Sequence, residues 1–173
     1  MKITELVEIQ TIARSLDLGS LRALRKQLDA AEGTPSLLTG PDLEQILAEY
    51  VSVGLPDHEP LHNLFAQLGA DGSSGAGFLI QGPAGVGKTH LLYLTALLSE
   101  YQSLRQVFLQ AHPQFQAVLQ QLDRKPQPIV VPVPLREHRP EDEHLEDIVF
   151  DRVEQELRRS RYKLRVPLSE QSY

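Results

Sequence analysis

The chain has 173 residues, with 17 basic and 23 acidic side chains and a formal net charge of −6. That length makes one domain the default, and the acidic balance argues against general nucleic-acid coating. The absence of cysteine excludes disulfides, thiolate catalysis, zinc fingers and iron–sulfur ligation.

Taken from the N-terminus, residues 3–9 partly alternate and read as a short strand or a helical turn. Ser20 reads as an N-cap, followed by Leu21, Leu24 and Leu28 at helical spacing, with Gly33 ending the run. Thr34-Pro35-Ser36 is a linker. Pro41 fits a first helical position, with Asp42 and Glu44 where the helix dipole favours acids. Leu43, Ile46, Leu47, Tyr50 and Val51 share one face of that helix, and Gly54-Leu55-Pro56 stops it. A third helix is predicted from about Glu59 to Leu68, burying Leu61, Leu64, Phe65 and Leu68. Residues 69–77 are rich in Gly and Ser and read as the most flexible stretch.

Phe78-Leu79-Ile80 is short and apolar and predicts a buried strand. A helix carrying Leu91, Leu92, Leu94, Leu97 and Leu98 follows, and another spans about Tyr101–Ala111 with Leu104, Val107 and Phe108 on one face. Gln102, Gln106 and Gln110 share a different, solvent-facing side. His112-Pro113 breaks the run, and Phe115, Val118, Leu119 and Leu122 predict a further helix. Ile129–Leu135 is β-branched and reads as a strand, its two prolines confining it to an edge. Leu145, Ile148, Val149, Val153 and Leu157 predict a last helix, followed by a basic tail from Arg158 to Arg165.

Gly82-Pro83-Ala84-Gly85-Val86-Gly87-Lys88-Thr89 matches G-x-x-x-x-G-K-[ST] without a gap, between an apolar run and a helical one. The chemistry explains the residue types. A triphosphate is a dense anion that main-chain N–H groups can wrap only where side chains are small or φ is positive. Gly85 and Gly87 permit that approach, and the following helix N-terminus adds free N–H donors. Lys88 is expected to neutralise the β/γ-phosphates as the candidate catalytic residue, and Thr89 to ligate Mg²⁺. His90 adjoins the loop and belongs to the candidate ATP-binding set, Gly82 to His90. A packed structural histidine is the competing reading for it.

Other features are weaker. Ile148-Val149-Phe150-Asp151 has the letters of a Walker B but sits in a helical pattern, so Asp151 reads as a solvated residue. His138 and His144, with Glu137, Glu141 and Glu143, lack metal-ligand spacing. Val51 is a weak candidate for packing against the base. The Arg158–Arg165 tail reads as a charged helix end.

The expected fold is α/β: a partial P-loop NTPase-type parallel sheet behind a helical N-terminal segment, divided as 1–55 and 56–173. Such sheets hold about five strands, and two are readable here, which points to the N-terminal part of a longer ATPase. A compact nucleotide binder is the runner-up. Apolar runs stay well below the roughly 18 residues of a membrane span, and Met1–Glu5 meets an acid before any apolar stretch, unlike a signal peptide. The expected location is cytoplasmic, with no membrane partner.

The lead-in Ala48-Glu49-Tyr50-Val51, then His58-Glu59-Pro60-Leu61, the run Phe78 to Leu92 across the phosphate loop, the strand Ile129–Val133 and Leu145–Phe150 together resemble a known arrangement. They are similar to the N-terminal region of large bacterial AAA-like P-loop ATPases, including those of BREX-type phage-exclusion systems. The resemblance spans most of residues 40–157, and its specific part is the loop. It implies ATP and Mg²⁺ as cofactors and hydrolysis in a longer polypeptide. It also implies antiviral defence as context, with protein partners or a homo-oligomer, and nucleic acid met through a larger assembly. A small-molecule kinase and a non-catalytic, nucleotide-dependent interaction module are the alternatives.

Overall fold

The computed structural model describes residues 18–30, 41–52, 58–70, 75, 77–135, 138 and 144–159. Among them are seven α-helices: α1 (Leu18–Ala30), α2 (Pro41–Ala48), α3 (Pro60–Gly69), α4 (Lys88–Glu100), α5 (Gln102–Ala111), α6 (Gln116–Asp123) and α7 (Leu145–Arg159). A 3-10 turn, Pro113–Phe115, joins α5 to α6. No described helix is long and apolar enough to cross a membrane.

The expected α/β fold is corrected: the described residues contain no strand and no sheet. Phe78–Ile80 and Ile129–Pro134 run without regular structure, and neither has a ladder partner among the described residues. Short apolar composition alone cannot make a strand, because a strand exists only through its neighbour's hydrogen bonds. Phe78 and Leu79 are 49% and 82% exposed rather than buried. In the second segment the Val130 N–H donates to Glu100 Oε1 at 3.0 Å, and the Val130 carbonyl accepts from Arg25 Nη2 at 2.9 Å. Side chains therefore occupy the groups a ladder would need, and Pro132 and Pro134 have no N–H to offer one.

The helix expectations fare differently. Ser20 lies inside α1 rather than capping it, because the helix starts at Leu18. Gly33, Thr34-Pro35-Ser36 and Gly54-Leu55-Pro56 lie outside the described residues. α2 ends at Ala48, so Tyr50 and Val51 follow it rather than extending its face. Leu68 is 44% exposed, against the expectation that it is buried, and Leu92, which α4 carries as expected, is 51% exposed.

α4 is the central helix. Leu91, Tyr93, Leu94, Ala96, Leu97 and Leu98 are all buried, so it is apolar nearly all round and must be enclosed. α2 and α3 pack against it, α2 also meets α5, and α6 covers α3. One cluster joins Leu21 and Leu28 of α1, Leu43 and Leu47 of α2, Leu61 and Phe65 of α3, and the buried faces of α4 to α6. An aromatic group fills the α2–α5 corner. Phe108 stacks tilted on His112 at 4.5 Å and meets Phe115 edge-on at 5.4 Å, while Tyr50 stands edge-on to both His112 and Phe115 at 5.9 Å.

Candidate phosphate-binding loop

The loop forms where the chain turns into α4. Gly85 and Gly87 have φ of +82° and +84°, the left-handed region in which a side chain is strained. Gly87 is the N-cap residue, and the first bond of the helix runs from Leu91 N–H to Gly87 O at 2.9 Å. The N–H groups of Lys88, Thr89 and His90 thus have no partner within the helix and end it as a positive pole. The sequence dictates this locally: two glycines at alternate positions turn the backbone, and a strongly helical run propagates from the turn.

Residues Gly82, Pro83, Ala84, Gly85, Val86 and Gly87 are all exposed, as is Thr89. Lys88 folds back across the loop, its Nζ donating to Gly82 O at 2.8 Å and to Pro83 O at 2.6 Å. Among the described residues its ammonium is in hydrogen bonds to carbonyls and in no ion pair with a carboxylate. The structure therefore brings a lysine charge, a hydroxyl and a helix N-terminus together around one open turn. This donor set suits an anion with several oxygens, and the Thr89 hydroxyl suits a hard cation riding with it. A Cβ at Gly82 would stand 3.0 Å from Val86 Cγ2, so the entry to the loop is close-packed on itself.

His90 belongs to a different arrangement. Its Nε2 lies 2.6 Å from Ile46 O, at the end of α2. A carbonyl only accepts, so Nε2 carries the proton. His112 does the same to the next carbonyl, with Nε2 at 3.1 Å from Leu47 O. Two imidazoles thereby satisfy successive orphan carbonyls of one helix end. Tyr50 stands between them, its ring 6.2 Å from that of His90. The Tyr50 hydroxyl donates to the buried Glu59 carboxylate, which also accepts from Ser52 Oγ at 2.7 Å. Burial, reinforced by that carboxylate, pushes the Tyr50 phenol well above the usual range. Among the sequence candidates, then, Gly82 to Thr89 form one place, and the His90 side chain points to α2 instead.

The remaining candidates are dispersed. Val51 is 81% exposed just after α2. Asp151 is exposed on α7, in keeping with a solvated helix residue. Glu137, Glu141, Glu143 and the tail from residue 160 lie outside the described residues. Among the described residues there is no group of three or more side chains able to hold a metal ion.

Sequence reasoning missed the ionic cluster at the far end of α4. Arg25, 1% exposed, donates to Glu100 through Nε at 2.8 Å and through Nη2, and to Glu156 through Nη1 and Nη2 at 3.3 and 3.1 Å. Arg159 adds bonds to Glu100, Glu156 and Asp29, and the Tyr101 hydroxyl donates to Asp29 Oδ1 at 2.7 Å. Burial and Asp29 raise the Tyr101 phenol above its usual range. Burial alone would lower Arg159, but hydrogen bonds to Glu156 and Asp29 and the Glu100 charge outweigh it, and the net shift is upward. A signal was present: Arg25 stands four residues after Leu21 and three before Leu28, on the apolar face of α1. Close to this cluster, Arg105 donates to Leu98 O at 2.6 Å and Ser99 O at 2.8 Å, satisfying the last carbonyls of α4, and pairs with Asp123. No protein-family model, no curated protein and no solved structure matches the chain.

Proposed function

We propose that the chain binds ATP as its magnesium complex at residues 82–89. The observation that carries this reading is the join of loop and helix. Two left-handed glycines, at φ +82° and +84°, deliver the backbone into the open first turn of α4, with Lys88 folded over the turn. Phosphate groups are favoured at such a helix N-terminus by both the dipole and the free N–H donors. Lys88 supplies a mobile positive charge and Thr89 a hydroxyl for Mg²⁺, which would neutralise phosphate charge there. ATP rather than another nucleotide, hydrolysis, and a place in a multiprotein anti-phage or DNA-processing ATPase rest on the resemblance of residues 40–157 described above.

A second reading, a non-catalytic and nucleotide-dependent interaction module, is favoured by the position of Asp151. This Walker-B-like acid lies exposed on α7 rather than at the end of an apolar strand. Calorimetric titration of Mg-ATP into the chain, paired with a phosphate-release assay, tests both. Binding that Lys88→Ala weakens by roughly ten- to a hundredfold supports the loop as the site. Turnover lost in the same variant favours the ATPase, and binding without turnover favours the module. No binding by the parent chain rejects the proposal.

A further inference from the structure

We propose that His90 is a positioning residue of the phosphate loop: its ring, bonded to α2, fixes the turn of α4 whose N–H groups meet the anion. The proposal rests on the nucleotide reading above and adds a second element to that site. The main-chain N–H of His90 is one of the three open donors at the start of α4, with those of Lys88 and Thr89. Its side chain leaves the helix in another direction and donates from Nε2 to Ile46 O at 2.6 Å. One residue thus belongs to the anion site through its backbone and to α2 through its ring.

The first turn of α4 needs such a brace. Helix ends fray, and two common local supports are missing here. The N-cap is Gly87, which has no side chain to cap with, and the first turn carries no acid. Glycine also has the widest backbone freedom. Among the described residues, two side chains hold the turn by hydrogen bonds instead. Lys88 Nζ bonds Gly82 O and Pro83 O across the loop. His90 follows two residues later, about 200° around the helix, so its bond to α2 braces the opposite side. The ring is itself held in place. Tyr50 stands at 75° to it, with 6.2 Å between centroids, and the Tyr50 hydroxyl is fixed by the buried Glu59 carboxylate at the N-cap of α3. Donors already aimed need no reordering when an anion arrives, and preorganisation of that kind raises affinity without a new contact. His112 is the natural comparison. It gives the same bond to the next carbonyl, Leu47 O at 3.1 Å, but from the end of α5, with no backbone in the loop.

Calorimetric titration of Mg-ATP into the parent chain and four variants, each shown folded by far-UV circular dichroism, tests this. Gln and Asn side chains both donate, but the Gln amide nitrogen reaches as far as imidazole Nε2 and the Asn nitrogen as far as Nδ1. His90→Gln is therefore expected to bind within about twofold of the parent, and His90→Asn and His90→Ala about three- to fivefold more weakly. His112→Ala is expected to lose stability in urea yet to bind within about twofold of the parent. Equal weakening by His112→Ala and His90→Ala overturns the proposal, because the histidines then act through the general stability of α2. Binding by His90→Asn as tight as the parent's overturns it too, and so does a His90→Gln no better than His90→Ala. In each of these cases the parent still binds Mg-ATP, and the loop keeps its reading. A parent chain that binds no Mg-ATP rejects both.

Discussion

The imidazole of His90 bonds the carbonyl of Ile46 at 2.6 Å, so the residue immediately after Thr89 is tied to the last turn of α2. The candidate phosphate loop and the N-terminal helices are therefore one mechanical unit at this point. His112 repeats the contact on Leu47 O from the end of α5.

Removing the His90 ring leaves the Ile46 carbonyl without its partner in a half-buried place. His90→Ala is expected to lower stability by about 1–3 kcal/mol, the cost of stranding such an acceptor. Urea denaturation at neutral pH measures it. Mg-ATP affinity, measured on the still-folded variant, is expected to fall less than in Lys88→Ala, because the ring faces away from the loop.

Lys88 and Gly87 separate charge from conformation at the loop. Among the described residues Lys88 is held by carbonyl contacts on an exposed turn, so Lys88→Ala is expected to leave thermal stability nearly unchanged. Its loss should weaken Mg-ATP binding by about 1.5–3 kcal/mol, roughly ten- to a hundredfold. Gly87→Ala has open space for its Cβ but must hold φ at +84°. It is expected to cost about 1–2 kcal/mol of stability through the backbone alone. Parallel denaturation and titration of the two variants check both outcomes.

Arg25 is expected to be the most costly of the polar residues to truncate. Arg25→Met leaves Glu100, 5% exposed, with much of its compensation gone, which typically costs about 3–5 kcal/mol. Arg158→Ala, on the solvent side of α7, is expected to change stability by no more than about 0.5 kcal/mol. Chemical denaturation of the two variants gives the contrast.

The raised phenols set the alkaline limit. Tyr50 and Tyr101 bind their protons more tightly folded than unfolded, where the ordinary value is about 10. Above that pH the unfolded chain has released protons that the folded chain still holds, so stability falls as pH rises. The contribution is complete below pH of about 10 and is lost as the pH climbs towards the folded values. Stability measured across that range should decline, and Tyr50→Phe with Tyr101→Phe should flatten the decline.

The helices were legible because their signals are local. Leu91, Leu94, Leu97 and Leu98 recur at the spacing that makes one side of α4 apolar, and no distant partner is needed to read it. The loop was legible for the same reason, since Gly85 and Gly87 take the positive φ that the motif requires. The strands were not. Phe78–Ile80 and Ile129–Leu135 have strand composition, but a ladder is a relation between segments, and at Val130 the Glu100 and Arg25 side chains take the backbone groups instead. His90 shows the same division: its neighbourhood in the sequence placed it at the loop, and the packing of α2 turned its ring to Ile46. Arg25 and Glu100 stand 75 residues apart, and their pairing exists only because α1 crosses the end of α4. Periodicity and turn chemistry are written in consecutive residues, whereas buried charge pairs and helix ends closed by distant histidines are decided by which surfaces meet.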